Sequence, residues 1–210
     1  MIYKHFFWDF DGTLYDTYGR ITRACVNALQ DLGAAASFDR VFPVVKRSLD
    51  TCYRVFAEPK GISQAAFQDA YHLYSESEGP ESIRPYPGAR KMLQAVIEGG
   101  GKNYLYTHRG GTASRWLAYD GLTELFADMV TRQDGFPSKP APDALNYLVQ
   151  KHGLNKAECV MLGDRDIDLD AGKNAGMACA LFDPGHFYDD YDTPWRFTDM
   201  ETLQRTLAGK

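Results

Sequence analysis

Asp9-Phe10-Asp11-Gly12-Thr13 places two carboxylates two residues apart, just past the apolar stretch Ile2–Phe10. A carboxylate in that position can attack phosphorus and carry an aspartyl-phosphate. A second one, two residues on, can give a proton to the leaving oxygen and later take one from water. Gly12 lets the backbone turn tightly beside a ligand. Thr107, Lys139 and Asp164 stand beyond other apolar segments of the chain. Lys139 would supply a mobile point charge for phosphate oxygens and for Asp9. Thr107 would offer a hydroxyl, with the amides after it leading into a helix, a natural phosphate cradle. Asp164, Asp9 and the backbone carbonyl of Asp11 would make a small all-oxygen site that suits Mg²⁺. Asp168 has two readings: orienting a metal water or Lys139, or placing negative charge in a helix's first turn.

Those residues need strands to deliver them. Lys102–Tyr106, Met129–Thr131, Cys159–Leu162 and Ala178–Phe182 read as strands beside the one before Asp9. Helical spacing lies between them at Ala89–Glu98, Thr112–Tyr119, Pro142–Lys151 and Leu169–Ala175. Alternating strands and helices predict an α/β fold, a Rossmann-like parallel sheet with helices on both faces. Ligands then bind outside the carboxyl ends of the strands, where Asp9, Thr107 and Asp164 fall. Between the first strand and Pro85-Tyr86-Pro87-Gly88 the chain reads differently, with helices at Tyr18–Leu32, Val41–Phe56 and Ser63–Tyr74. The expected organisation is a core of residues 1–15 and 84–210, with 16–83 inserted as a small α-helical domain.

Composition narrows the class. The 210 residues are 44% hydrophobic and 24% charged, with net charge −5, in the range of ordinary globular chains. No apolar run nears the roughly 18 residues a membrane span needs, and the N-terminus does not read as a signal peptide. No Lys/Arg cluster marks a nucleic-acid partner. Cys25, Cys52, Cys159 and Cys179 are scattered and read as reduced, buried thiols of a cytoplasmic protein.

Taken together, the residues resemble the four motifs of the haloacid dehalogenase-like hydrolase superfamily. They are Asp9-Phe-Asp11-Gly-Thr, Thr107 after Asn103-Tyr-Leu-Tyr, Lys139 in Ser-Lys-Pro-Ala-Pro-Asp, and Gly163-Asp164 with Asp168. Tyr86-Pro87-Gly88 and Gly172-Lys-Asn-Ala-Gly176 are similar to the phosphoglycolate phosphatase-like subfamily. The resemblance implies a Mg²⁺-dependent phosphatase acting on a small phosphorylated metabolite, with Asp9, Asp11 and Lys139 catalytic. It implies that the helical insert is a cap that closes over the site and selects the substrate, with Lys46, Arg47 and Ser48 as candidate contacts. Solvated helix charges are the other reading of Lys46 and Arg47. Phosphoglycolate is the substrate by resemblance alone, and the expected assembly is a monomer or weak homodimer. Asp11 argues against dehalogenase and phosphonate-cleaving relatives, which lack it. The first helix after it has no histidine in Tyr18-Gly-Arg-Ile-Thr22, which disfavours a phosphomutase. A silent binding protein is the remaining alternative. One departure from the family is His108-Arg109 after Thr107. Both are placed with the substrate-binding residues; Arg109 would either grip a substrate carboxylate or second phosphate, or lie on the surface at a helix start.

Overall fold

A computed structural model describes residues 1–77 and 79–209. The chain forms two compact units. One holds Met1–Tyr15 and Pro85–Lys210, the other Asp16–Arg84. In chain order, β1 (His5–Trp8) precedes α1 (Tyr18–Asp31), α2 (Phe38–Arg47), α3 (Leu49–Cys52) and α4 (Gln64–Ser77). Then come α5 (Ala89–Glu98), β2 (Lys102–Tyr106), α6 (Thr112–Tyr119), β3 (Phe126–Val130) and α7 (Asp143–His152). β4 (Cys159–Gly163), α8 (Asp166–Ala175), β5 (Ala178–Phe182), β6 (Arg196–Phe197) and α9 (Met200–Leu203) complete the described elements.

The sheet runs β3-β2-β1-β4-β5-β6, and every pairing is parallel. The α/β class read from the alternation is therefore the observed one. Its central strands are buried on both faces, as parallel sheets require. Period-two alternation sends Phe7 and Tyr104, stacked at 4.9 Å, to one face with Ala144, Leu145 and Leu148 of α7. Phe6 and Trp8 stack on the other face. There Asn103 stands buried in mid-strand with its amide satisfied. It accepts from Trp8 Nε1 at 3.0 Å and donates to the Leu93 and Leu125 carbonyls at 3.0 and 3.1 Å.

The strand order places a switch point at β1. The chain moves outward through β2 and β3, then returns to lay β4 on β1's other side. Connections diverge there and leave a crevice outside the carboxyl ends of β1 and β4.

The helical unit packs Cys25, Ala28 and Leu29 of α1 against Val41, Val45, Cys52, Phe67 and Tyr71. The single helix expected over Val41–Phe56 is not one helix. Ser48 is extended, at φ −172° and ψ 161°, and its Oγ accepts the Thr51 N–H at 2.9 Å. A serine able to cap its own downstream turn ends α2 and starts α3. The helix expected to begin at Leu169 begins three residues earlier, at Asp166, because the Asp168 carboxylate reaches back to accept the Arg165 N–H at 3.2 Å. β6 and α9 have no counterpart in the sequence reading; two- and four-residue elements carry too little periodicity. No helix of the described residues is long and apolar enough to cross a membrane.

Candidate active site

Asp9 follows β1 by one residue and is 2% exposed. Its N–H is fixed by the Leu162 carbonyl of β4 at 2.9 Å, so the sheet itself sets where the carboxylate starts. Asp164 follows β4 and Thr107 follows β2, and both are buried. Gly12 takes φ +77°, a left-handed conformation that glycine adopts without strain, and donates to the Tyr15 carbonyl at 2.8 Å. That turn folds Thr13 back, and its Oγ1 donates to Asp164 Oδ1 at 3.4 Å.

Lys139 enters from the loop before α7. Its Nζ donates to Asp9 Oδ1 and to Asp168 Oδ1, each at 2.7 Å, and lies 4.6 Å from the Tyr106 ring centroid. Asp168's other oxygen accepts the Arg165 N–H at 3.2 Å. Asp168 therefore fills both roles read for it, helix start and partner of Lys139. Close approach makes this possible at Gly163. A Cβ there would sit 2.0 Å from the Asp168 Cβ.

One oxygen each of Asp9, Asp164 and Asp168 lies within 4.8 Å of the others. Burial pushes the Asp9 carboxyl up, to about 7, against the pull of Lys139. The Lys139 ammonium is held above its usual range by Asp168 and Asp9, although burial opposes this. Asp9 Oδ2 is buried and finds no hydrogen-bond partner among the described residues. Three buried carboxylates, one bonded ammonium and an orphaned oxygen form a hard-donor set that fits a divalent cation such as Mg²⁺.

Arg109 does not lie on the surface; its guanidinium is paired with Asp11. Its Nε reaches both Asp11 oxygens at 3.1 Å and its Nη2 reaches Oδ1 at 2.5 Å. The guanidinium stacks 4.3 Å from the Trp116 ring centroid and 5.5 Å from that of Phe10. Trp8 and Trp116 are core residues. Thr107 Oγ1 accepts the Arg109 N–H at 3.1 Å, and His108 Nε2 accepts the Lys139 N–H at 2.8 Å. No spacing in the sequence announced these last contacts. The first is local to one loop, but the second joins loops 31 residues apart, and only the closed sheet brings those together.

The structure thus brings Asp9, Asp11, Thr107, His108, Arg109, Lys139, Asp164 and Asp168 to one end of the sheet. Lys46 and Arg47 belong to the helical unit. Lys46 is not a solvated helix charge, since it is 5% exposed with Nζ 4.3 Å from the Tyr18 ring centroid, whereas Arg47 is exposed.

Residues 6–182 match the family model for haloacid dehalogenase-like hydrolases. A phosphoglycolate phosphatase of Vibrio parahaemolyticus is 32% identical over 83% of this chain and 80% of its own. Pyrophosphatase PpaX of Listeria monocytogenes is 27% identical over 85% of each. A solved structure described as a predicted phosphoglycolate phosphatase from Haemophilus somnus covers 98% of both chains. Its TM-score is 0.81 at 21% identity, so it speaks for the fold. With the family model spanning most of the sheet and both ends of the site, the chain belongs to the haloacid dehalogenase-like hydrolases.

Proposed function

We propose that the protein is a Mg²⁺-dependent phosphatase that hydrolyses a small phosphate monoester through a phosphorylated Asp9. The observation that carries this reading is the Lys139 ammonium shared by Asp9 and Asp168 at the switch point, with Asp164 beside them. Phosphoryl transfer is governed by positioning and charge compensation, and this site is built for both.

Asp9 attacks phosphorus with one oxygen. Asp11 sits two residues on; entering protonated, it gives its proton to the leaving oxygen, and the carboxylate that results, the form Arg109 pairs with, then takes one from water. Lys139 offsets charge on Asp9 and on the phosphoryl oxygens, and Asp168 orients Lys139. Thr107 and the amides after it cradle phosphate. Asp9, Asp164 and the Asp11 carbonyl are the groups that would hold Mg²⁺, which when bound neutralises phosphoryl charge as a Lewis acid.

The relatives' names point to substrates with a second anionic group, a carboxylate in one and a phosphate in the other. Arg109 is the cation beside the site that suits such a group. The helical insert, in this reading, is a cap that excludes water and selects among phosphorylated metabolites, with Lys46 and Arg47 as its candidate contacts.

The test is phosphate release from a generic aryl phosphate. Activity should require Mg²⁺, vanish on chelation and return on re-addition. Asp9→Asn should lower kcat by about 10⁴-fold or more. Turnover that survives both chelator and Asp9→Asn sinks the mechanism.

A further inference from the structure

Lys139 stands on a segment with little backbone to hold it. Between 137 and 142, Pro137, Pro140 and Pro142 carry no N–H, which leaves Ser138, Lys139 and Ala141 as backbone donors. No helix or strand covers this stretch. The Ala141 N–H closes a turn on the Ser138 carbonyl at 3.0 Å. The Lys139 N–H leaves the segment altogether and ends on His108 Nε2 at 2.8 Å. His108 follows Thr107, so the imidazole is rooted at the end of a central strand.

An imidazole nitrogen that accepts a hydrogen bond carries no proton, so the ring proton belongs on Nδ1. The surroundings favour that neutral form. Lys139, Arg165 and Arg132 present positive charge to the ring, Asp168 opposes them, and the Tyr106 ring meets it edge-on at 6.2 Å. A second cation here would be repelled by the ammonium that Asp9 and Asp168 need.

We propose that His108 is a positioning residue, whose neutral Nε2 takes the Lys139 N–H and anchors the turn that delivers the ammonium between Asp9 and Asp168. This replaces the substrate contact that the sequence pattern assigned to His108. The catalytic consequence rests on the phosphatase reading of the same site; the contact itself does not.

Two variants and one spectrum test it. His108→Leu removes the acceptor. His108→Gln keeps an acceptor that reaches as far as Nε2. With an aryl phosphate and Mg²⁺, the Leu variant should lose about 10- to 100-fold in kcat with little change in KM, the effect of a misplaced catalytic group. The Gln variant should recover at least about a third of the wild-type kcat, because an amide oxygen accepts the same N–H. Circular dichroism and thermal melting check that each variant folds. Independently, ¹⁵N NMR of the wild-type imidazole should show the proton on Nδ1 and Nε2 as an acceptor. The Lys139 amide proton should shift upfield more in the Leu variant than in the Gln variant. Undiminished kcat in the Leu variant, a Gln variant as impaired as Leu, or a protonated Nε2 overturns the proposal. If Leu does not fold, the Gln kcat and the spectrum decide it. A wild-type protein that releases no phosphate overturns the phosphatase reading, and the spectrum still decides whether His108 holds Lys139.

Discussion

Two buried carboxylates share the ammonium of Lys139, and that sharing determines what each substitution costs. Lys139→Met keeps the length of the stem and removes the charge. Asp9 and Asp168 are then left buried without their cation, at a cost of about 3–5 kcal/mol. Urea unfolding without metal should show this as a lower midpoint at unchanged slope. Turnover should fall by about 10³-fold, as when a transition-state donor is lost. His108 gives a pH prediction. Burial, helped by Lys139, lowers its pKa from 6.5 to about 4. As pH falls, the unfolded chain takes up this proton near 6.5 and the folded one near 4, so stability is lost between those values. The size is about 3 kcal/mol, from 1.36 kcal/mol per pKa unit. Asp9 titrates in the same window with the opposite sign, since burial raises its pKa. The contribution of His108 is therefore read as the difference between wild type and His108→Gln. The wild type should lose stability relative to the variant on acidification.

Elements place these groups to within a bond length. Gly163 ends β4 and leaves room for the Asp168 side chain, which starts α8 and holds Lys139. Gly163→Ala would put its Cβ 2.0 Å from the Asp168 Cβ, so α8 must move. We expect about 1–3 kcal/mol of destabilisation and a loss of about 10²-fold in kcat from the misplaced Lys139, measured by unfolding and steady-state turnover. Much of this scale was legible in the sequence. The spacings that gave Ala89–Glu98, Lys102–Tyr106, Thr112–Tyr119 and Ala178–Phe182 match α5, β2, α6 and β5 residue for residue. The two helices carry a helical repeat, and the two strands are short, mostly apolar runs. Val41–Phe56 failed because Ser48 is as acceptable inside an amphipathic pattern as at a cap. The end of the chain failed because β6 and α9, at two and four residues, are too short to show a period, although Asp199 caps α9 by accepting the Thr202 N–H at 2.7 Å.

At the scale of the whole molecule, alternation fixes a parallel sheet, and the sheet's order fixes where the crevice opens. Aspartates far apart in the sequence therefore meet at one end of the sheet. What the sequence withheld were contacts made only after closure: Arg109 on Asp11, His108 on Lys139, Thr13 on Asp164. The strand ends supply position, the loops supply partners, and pairing across loops obeys no period. The inserted helices have their own core around Cys25, Leu29, Val41 and Phe67. In the proposed mechanism Asp9 becomes phosphorylated. The most direct measurement is rapid acid quench of the enzyme turning over an aryl phosphate with Mg²⁺, followed by peptide mass spectrometry. A phosphoryl group should appear on the peptide containing Asp9 and be absent in Asp9→Asn and after chelation. Steady phosphate release with no phosphoryl group on Asp9 at any quench time would contradict that mechanism.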